Sequence, residues 1–506
     1  MTELLNKDGA GRNKNIALWL FLLVYAAFII YLCKVLNIWI DEVYTMDTSS
    51  YSLRDVINQS YNFEGQPPAF FVILSLWRII SKDLFFARLF SVVCIGKAAW
   101  VFYQLVKQIA GKDRSRWFVV LFLLNPYTIW AGTQARLYAF LLLLAVWSVY
   151  LFFNFYKKKE NRYLVFFGLI AIVGVYTQYL YVFLLAALGA SVLFFSGRKL
   201  FFKFCISIIP AGAIFLQNIL FTTSPVKLAY VGSIKESFLS KVIAVFHTPQ
   251  NLILSLDTLP FDRVIRWIII AAFVVVMVYA YFKLYKERTQ QVGKLYWNTI
   301  NSILISGTLV VSLIALFFAK TGIDYNDRYL TIGFPLMILL WLLLNVYEQV
   351  KRTIIFFIIT GYYILLLAIN YKYPKNDFDS RGLAAYITRI EKQDEPIFFY
   401  QKVLALPFKY YYTGKNTVVP LPDAIKFDST YLSRIQDTVQ LKQAIESVGS
   451  SSGSYLLITN RNDSRFINDA DVKLLNDYLP MHYTVTTDTL FEGKYNQLRV
   501  RRLNKK

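Results

Sequence analysis

Histidine and cysteine are scarce in this chain, and acidic residues are outnumbered by basic ones. The 506 residues include two histidines, His247 and His482, and three cysteines, Cys33, Cys94 and Cys205. The histidines are far apart, and the cysteines lie in apolar segments without metal-ligand spacing. The sequence therefore does not support a zinc site, and it predicts buried, unreactive thiols.

Apolar residues, in contrast, are abundant: 56% of the chain is hydrophobic and 17% is aromatic. One soluble core could not bury that much apolar surface, whereas repeated runs of about 20 apolar residues fit bilayer-spanning helices. The net charge is +22, but the basic residues cluster between apolar runs and no basic–aromatic recognition module is present. The composition indicates a polytopic membrane protein and no nucleic-acid partner.

The apolar runs predict about eleven transmembrane helices of roughly 15–25 residues each. Their approximate limits are 16–36, 84–107, 117–132, 136–156, 163–177, 179–196, 200–221, 263–283, 297–319, 329–347 and 353–371. No small-residue cleavage site follows the first run, so we expect an uncleaved span. The run from Ala69 to Ile80 is too short to cross and is expected at the interface, and 235–246 is expected to form an amphipathic helix on the outer surface.

Clusters of basic residues predict the orientation of these spans. Lysines and arginines occupy the loops near 107–116, 157–162, 198–203, 283–294 and 351–352. With eleven spans, all of these loops share the side of the N-terminus, which the positive-inside rule makes cytoplasmic. Three lysines in the segment 221–262 are an exception. Everything after about Tyr371 is then expected outside the cytoplasm.

The residues after the last span differ from the rest in composition. Residues 396–400 and 455–459 have the pattern of strands, and 382–391 and 469–478 that of helices. The sequence therefore predicts a membrane domain at 1–372, with an outer loop at 37–83, and a small α/β domain at 373–506. The second domain has no glycine-rich phosphate loop and no evident catalytic triad, so we expect a lid or acceptor-docking role.

An acidic pair, Asp41-Glu42, follows the first span directly and would lie at the outer face. Carboxylates at the mouth of a membrane helix cost desolvation energy unless water, a cation or a substrate meets them. The structural alternative is an ordinary polar boundary after a membrane span.

Arg136 and Arg328 lie at the start of two later spans. Their planar, permanently charged guanidinium groups suit a phosphate, and interfacial snorkelling is the alternative.

The order of these features resembles the C-type glycosyltransferases, polytopic enzymes that take sugars from polyprenyl phosphates, and within them the protein O-mannosyltransferase and aminoarabinose transferase branch. The matching stretches, over about the first 370 residues, are Asp41-Glu42, Gln66-Pro67-Pro68, Ala87-Arg88-Leu89, Ala135-Arg136-Leu137-Tyr138 and Asp327-Arg328-Tyr329-Leu330. The branch often has His or Lys before Pro-Pro. Gln66 can form hydrogen bonds but cannot neutralise charge, so phosphate binding would depend more on the arginines.

The resemblance implies a catalytic membrane domain that acts as an inverting glycosyltransferase. A sugar would move from a polyprenyl-phosphate carrier to an acceptor at the outer face of the membrane. Asp41 would be the base that takes the proton of the acceptor hydroxyl, and Glu42 would orient a substrate or help to bind a cation. The donor phosphate would be bound by Arg136, Arg328 and Gln66. The substrate site would be lined by Tyr44, Tyr138, Asp327 and Tyr329.

The sequence leaves the cofactor and two rival functions open. Asp41 and Glu42 offer hard oxygen ligands for Mg²⁺ or Mn²⁺. A transporter or flippase of lipid-linked sugars would have charged or broken helices near the midplane and related halves, and neither is visible in the sequence. A polymerase or ligase of surface polysaccharide would share the lipid-phosphate chemistry.

The expected partners are the polyprenyl-phosphate sugar donor, the lipid bilayer and a glycolipid, polysaccharide or protein acceptor. We expect an integral protein of the bacterial inner (plasma) membrane with a periplasmic or extracellular C-terminal domain.

Overall fold

The structure, a computed structural model, describes residues 2–221, 237–256, 262–287, 294–321, 325–345, 349–372, 378–425, 438–448, 453–460, 478–493 and 497–506. It divides into two compact units. The first, here called the membrane unit, consists of Met1–Cys33, Ser49–Tyr61 and Gly65–Lys372. The second, here called the C-terminal unit, consists of Lys34–Thr48, Asn62–Glu64 and Tyr373–Lys506.

Residues 1–372 are helical almost throughout their described part. The first helices in chain order are α1 (Thr2–Val35), α2 (Ile40–Thr48), α3 (Leu53–Asn62), α4 (Ala69–Trp77), α5 (Leu84–Ala110), α6 (Lys112–Leu124), α7 (Pro126–Gly132) and α8 (Tyr138–Lys158). They are followed by α9 (Asn161–Val175), α10 (Tyr181–Ser196), α11 (Arg198–Phe221), α12 (Phe238–Leu254), α13 (Arg263–Glu287), α14 (Lys294–Thr321), a 3₁₀ helix (Asp327–Ile332), α15 (Phe334–Asn345) and α16 (Gln349–Asn370).

Seven helices of the described chain are long and apolar enough to cross a membrane. They lie in α1, α5, α8, α11, α13, α14 and α16. Three shorter apolar helices, α9, α10 and α15, coincide with further predicted spans. The structure thus agrees with a polytopic architecture, and eleven spans remain a prediction because four of them rest on short or interrupted helices.

One of those interruptions has a clear local cause. The run predicted as a single span at 117–132 is divided into α6 and α7 at Asn125. The Asn125 side chain accepts a hydrogen bond from the Tyr127 N–H at 2.9 Å, and Pro126 occupies the first helical position. An asparagine cap followed by proline is a typical helix start, so the chain begins a new helix there.

Burial distinguishes the central helix of the membrane unit from a peripheral one. In α8, 83% of the most apolar 18-residue stretch is buried, whereas the corresponding share in α13 is 6%. A helix that is apolar on all sides and buried lies in the core, and one whose apolar side chains are exposed suits contact with lipid. We therefore place α8 at the centre of the bundle and α13 at its lipid-facing periphery.

The C-terminal unit contains a five-stranded sheet in the order β2-β1-β3-β5-β4. Its strands are β1 (Ile397–Tyr400), β2 (Val418–Pro420), β3 (Ser454–Asn460), β4 (Tyr483–Glu492) and β5 (Gln497–Lys505), and its helices are α17 (Ser380–Ile390), α18 (Ala405–Tyr411) and α19 (Thr438–Glu446). Strands β1, β2 and β3 are parallel, and β5 is antiparallel to β3 and β4. The predicted small C-terminal sheet is confirmed, and the helix predicted at 469–478 lies almost entirely outside the described residues.

Side chains alternate across the sheet to form two cores. Ile397 and Phe399 belong to one apolar cluster, and Phe398 and Tyr400 to another. Because successive strand residues point to opposite faces, a strand that is apolar at every position is covered on both sides.

The segment that carries the acidic pair also belongs to the C-terminal unit. The Asn37 amide donates a hydrogen bond to the Phe378 carbonyl at 3.2 Å, and the Ile38 N–H donates to the Tyr411 hydroxyl at 2.8 Å. Ile40 packs against the apolar cluster that includes Ile397 and Phe399. Helix α2 is therefore held by residues that follow it by more than three hundred positions.

Candidate functional site

Glu42 closes the first turn of α2. The Glu42 N–H donates to the Trp39 carbonyl at 3.0 Å, and the Trp39 N–H donates to Glu42 Oε2 at 3.4 Å. The Glu42 side chain is 0% exposed. A carboxylate beside the N-terminal N–H groups of a helix satisfies them and favours the helix dipole. Glu42 therefore has a structural role at the start of α2.

Asp41 precedes Glu42 and is only half-buried. Adjacent residues of a helix point about 100° apart, so the two carboxylates leave α2 in different directions. An ion or substrate that binds one carboxylate would therefore not have the same contact with the other. The two acids therefore differ in their surroundings: Glu42 is buried at the first turn of α2, and Asp41 is partly exposed.

Tyr44, one turn further along α2, packs its ring edge-on against Phe63, with the ring centroids 5.2 Å apart. Phe63 is buried and Tyr44 is half-buried. Edge-to-face pairs of this kind fix the orientation of both rings. The Tyr44 side chain thus has a defined position in the C-terminal unit.

Arg328 and Tyr138 come together in the membrane unit. The Arg328 guanidinium lies over the Tyr138 ring, 5.8 Å from its centroid, within the range of a cation–π interaction. Tyr138 is buried and packs against Trp130, with centroids 5.0 Å apart. Trp130 in turn stacks on Tyr127 at 5.5 Å. The arginine therefore rests on a row of packed aromatic rings.

Asp327 is held on both of its carboxylate oxygens by α12. Thr248 Oγ1 donates to Asp327 Oδ1 at 2.7 Å, and Asn251 Nδ2 donates to Asp327 Oδ2 at 2.6 Å. The Tyr325 hydroxyl donates to Thr248 Oγ1 at 2.8 Å. Burial raises the pKa of Tyr325 well above its usual range, so this hydroxyl stays protonated. These bonds fix the 3₁₀ helix from which Arg328 projects.

Thr248 and Asn251 are residues that the sequence analysis did not identify. They lie beyond the predicted amphipathic helix at 235–246, which in the structure extends as α12 to Leu254. Little in the sequence indicated that they contact a site residue, because two polar residues among apolar ones are common at a membrane interface. The contact with Asp327, far away in the chain, reveals their role.

Tyr329 stacks on Phe318 near the end of α14, with ring centroids 4.9 Å apart and an angle of 27° between the rings. Phe318 is fully buried, and Tyr329 is half-buried. The stack fixes the other side of the 3₁₀ helix, so Arg328 lies between an anchored Asp327 and an anchored Tyr329.

Arg136 lies in the link between α7 and α8, two residues before Tyr138. Its side chain is only 7% exposed. Snorkelling would bring the charged group into water, and this low exposure does not fit that explanation. Arg136 is therefore a buried cation just before the start of α8.

Gln66 lies against the end of α9. The Gln66 N–H donates to the Ser60 carbonyl at 2.9 Å, and the Ala69 N–H donates to the Tyr176 carbonyl at 2.9 Å. The Gln66 Oε1 atom is buried, and within the described residues it has no hydrogen-bond partner. Its amide could therefore bind a ligand, with Nε2 donating to a phosphate oxygen or Oε1 accepting from a hydroxyl.

Further contacts show that these segments share one end of the membrane unit. Arg88, at the start of α5, donates from Nη1 to the Cys33 carbonyl near the end of α1, at 2.9 Å. Ser91 Oγ donates to the Gln134 carbonyl, just before Arg136, at 2.6 Å. Arg136, Arg328 and Gln66 therefore lie at the same end of the helices, whereas Asp41, Glu42 and Tyr44 belong to the C-terminal unit.

The described His, Cys, Asp and Glu side chains give little support to the metal hypothesis. Within the described residues, no group of three or more His, Cys, Asp or Glu side chains could hold a metal ion. Mg²⁺ can bind through one or two carboxylates together with substrate phosphates and water. Asp41 alone, with a donor phosphate, would fit that requirement.

Comparisons with known proteins identify the fold of the chain. Residues 65–223, which include Gln66 and Arg136, match the family model described as dolichyl-phosphate-mannose-protein mannosyltransferase. Two crystal structures of ArnT from Cupriavidus metallidurans match over 95% of this chain and 97% of theirs, each with a TM-score of 0.56. The identity is 11% to the apo structure and 10% to the structure bound to undecaprenyl phosphate. This chain has the fold of the C-type glycosyltransferases.

The resemblance noted in the sequence is thereby confirmed. No curated protein matches the sequence, as expected when a fold is retained at about one-tenth identity. The C-type fold, together with the apolar helices, makes the chain an integral membrane protein. The family match covers the part of the membrane unit that carries Gln66, Arg88 and Arg136, and the structural match extends to the C-terminal unit.

Proposed function

We propose that the protein is an inverting glycosyltransferase that moves a sugar from a polyprenyl-phosphate carrier to an acceptor hydroxyl. The observation that carries the proposal is the grouping of Gln66, Arg136 and Arg328 at one end of this fold. A protein with the same fold binds undecaprenyl phosphate. Two guanidinium groups and an amide are the donors that a phosphate would need.

The proposed reaction needs little from the protein beyond a base and a site for the leaving group. The acceptor oxygen forms a bond to the anomeric carbon as the bond from that carbon to the phosphate oxygen breaks. Asp41 takes the acceptor proton, and the polyprenyl phosphate leaves with the bonding electrons. Arg136 and Arg328 stabilise the negative charge that grows on the phosphate.

The C-terminal unit has a positioning role in this proposal. Asn37, Ile38 and Ile40 bind the start of α2 to that unit, so its core fixes the helix that carries Asp41. Glu42 contributes by closing the first turn. A lid or acceptor-docking function of the same unit is compatible with this role, and the acceptor is a glycolipid, a polysaccharide or a protein.

We further propose that the end of the bundle with Arg136 and Arg328 faces the outside of the bacterial inner membrane. The basic clusters between the predicted spans support this orientation, because they lie at the other ends of the helices. The chain would have eleven spans if α6–α7, α9, α10 and α15 also cross the membrane. This odd number of spans would place the C-terminal unit in the periplasm or outside the cell.

Cell-envelope analysis and a purified reaction together test the proposal. Mass spectrometry of envelope glycans from cells with and without the protein should show one missing sugar and identify its acceptor. The purified protein, given that donor and acceptor, should release polyprenyl phosphate. Transport of the intact lipid-linked sugar across sealed vesicles, without bond cleavage, would contradict the proposal and favour a flippase.

A further inference from the structure

Tyr127 and Thr331 form a buried pair of hydroxyl groups between α7 and the 3₁₀ helix. The Tyr127 hydroxyl is hydrogen-bonded to Thr331 Oγ1, and Thr331 Oγ1 donates to the Arg328 carbonyl at 2.5 Å. A threonine hydroxyl has a single hydrogen. Because that hydrogen goes to the Arg328 carbonyl, Tyr127 is the donor to Thr331. The backbone of Arg328 is therefore held by a hydrogen-bond chain that begins at Tyr127.

The Tyr127 ring supports the side chain of the same arginine. It stacks on Trp130 with the centroids 5.5 Å apart, and Trp130 packs against Tyr138 at 5.0 Å. The Arg328 guanidinium lies over the Tyr138 ring. The hydroxyl of Tyr127 is thus linked to the Arg328 backbone, and its ring is linked to the Arg328 guanidinium. With Thr331 included, these residues form a closed circle of contacts.

A second set of hydrogen bonds holds the Tyr127 backbone. The Tyr127 N–H donates to Asn125 Oδ1 at 2.9 Å. Asn125 Nδ2 donates to the carbonyls of Leu252 and Ile253 at 3.1 and 3.3 Å. Both carbonyls belong to the last turn of α12, a position in which helix carbonyls have no intrahelical partner. Since α12 also holds Asp327, Tyr127 lies where α7, α12 and the 3₁₀ helix are joined.

Core packing alone accounts for the Tyr127 ring and not for its hydroxyl. The ring is buried and also packs against Phe334, with the centroids 5.1 Å apart, and a phenylalanine would fill the same space. A buried tyrosine hydroxyl needs a hydrogen-bond partner, and here the partner is the residue that holds the Arg328 carbonyl. Removal of the hydroxyl would therefore keep the packing and delete only the link to Arg328.

We infer that Tyr127 is a positioning residue for Arg328, an inference that rests on the proposed function. Negative charge grows on the donor phosphate as the sugar leaves, so the direction of the guanidinium matters most in the transition state. A displaced Arg328 would still attract the bound donor and would stabilise the leaving phosphate less well. Loss of the Tyr127 hydroxyl should therefore lower kcat and leave the KM for the donor nearly unchanged.

Steady-state sugar transfer by the purified full-length protein, with a radiolabelled lipid-linked donor, tests this inference. Tyr127→Phe should lower kcat roughly tenfold, while the donor KM stays within about twofold of the wild type. Thr331→Val should cause a similar loss, and Thr331→Ser, which keeps the hydroxyl, should retain most of the activity. In an Arg328→Gln background, Tyr127→Phe should have no further effect, because the group that it positions is already absent.

The matched control is Tyr181→Phe, which removes another buried tyrosine hydroxyl. Tyr181 and Ser148 are fully buried and share a hydrogen bond at 2.8 Å between α10 and α8. Ser148 lies about 15 Å further along α8 than Tyr138. Tyr181→Phe should lose as much thermal stability as Tyr127→Phe and keep the kcat of the wild type.

Three results would overturn the inference. They are an unchanged kcat in Tyr127→Phe, a loss of kcat of the same size in Tyr181→Phe, and an undiminished effect of Tyr127→Phe in the Arg328→Gln background. A folded wild type that transfers no sugar from the lipid-linked donor would instead refute the proposed function itself.

Discussion

The Arg328 guanidinium lies 5.8 Å from the centroid of the Tyr138 ring. The two residues are far apart in the sequence and begin, respectively, the tenth and the fourth predicted span. Their contact requires both loops to lie at the same end of the helix bundle, as an alternation of up and down spans demands. It also gives Arg328 a fixed direction, because Tyr138 is packed against Trp130.

The first prediction concerns this aromatic support. Tyr138→Phe keeps the ring and should retain activity within about twofold, whereas Tyr138→Leu removes the cation–π interaction. A loss of about 0.5–2 kcal/mol corresponds to a roughly 2- to 30-fold decrease in kcat/KM. Steady-state kinetics with a polyprenyl-phosphate sugar would measure both variants. Equal activities of the Leu and Phe variants would show that the ring does not position Arg328.

The second prediction concerns the hydrogen bonds from α12 to Asp327. Thr248→Val and Asn251→Leu each remove one donor to the carboxylate and should lower kcat/KM by roughly tenfold to a hundredfold, since bonds to charged groups contribute about 1.5–3 kcal/mol. Thr248→Ser keeps the hydroxyl and should retain most of the activity. The double variant should lose less than the product of the single effects, because both bonds hold one residue. Full activity of Thr248→Val would contradict the anchoring role.

The sequence was sufficient to predict most of the membrane-spanning helices, because hydropathy and length decide whether a segment crosses a bilayer. It was less successful where local chemistry interrupts an apolar run. The run at 117–132 breaks at Asn125-Pro126, and this cap and proline were visible in the sequence. Likewise, the predicted span at 329–347 begins as a 3₁₀ helix and becomes α-helical at Phe334.

The candidate site could be predicted only in part. The motifs pointed to Arg136 and Arg328 because their residue type and position at span ends are local properties. The contacts of Asp327 with Thr248 and Asn251 could not be predicted, since they depend on the packing of distant helices. The attachment of α2 to the C-terminal unit was also hidden, because Asn37 and Phe378 are far apart in the sequence and their contact depends on the packing of that unit.

The third prediction concerns orientation. Lys82 lies before α5, at the end of the bundle that contains Arg88, and Lys112 lies at the opposite end, at the start of α6. Both residues are exposed, so each can be replaced by a cysteine for labelling. In a variant with the three native cysteines replaced by alanine, a membrane-impermeant maleimide should label position 82 in spheroplasts. Position 112 should react only after permeabilisation. The reverse pattern would place the proposed donor site in the cytoplasm.

The fourth prediction concerns divalent cations. Because Asp41 and Glu42 diverge on α2, any Mg²⁺ would bind through Asp41, donor phosphate and water and would exchange readily. We expect EDTA to reduce transfer by less than about tenfold and added Mg²⁺ to restore it fully. Initial rates with and without chelator give the result. Complete and irreversible loss of activity would indicate a tightly held metal that this donor set does not provide.

The central claim, that Asp41 is the catalytic base, is tested most directly by sugar transfer with the Asp41→Asn variant. Purified wild type, Asp41→Asn and Glu42→Gln would be compared with the same lipid-linked donor and acceptor, and undecaprenyl phosphate binding would confirm an intact donor site. Removal of a general base should lower kcat about 10²- to 10⁴-fold, whereas Glu42→Gln should mainly lower thermal stability. Transfer by Asp41→Asn at the wild-type rate would contradict the account.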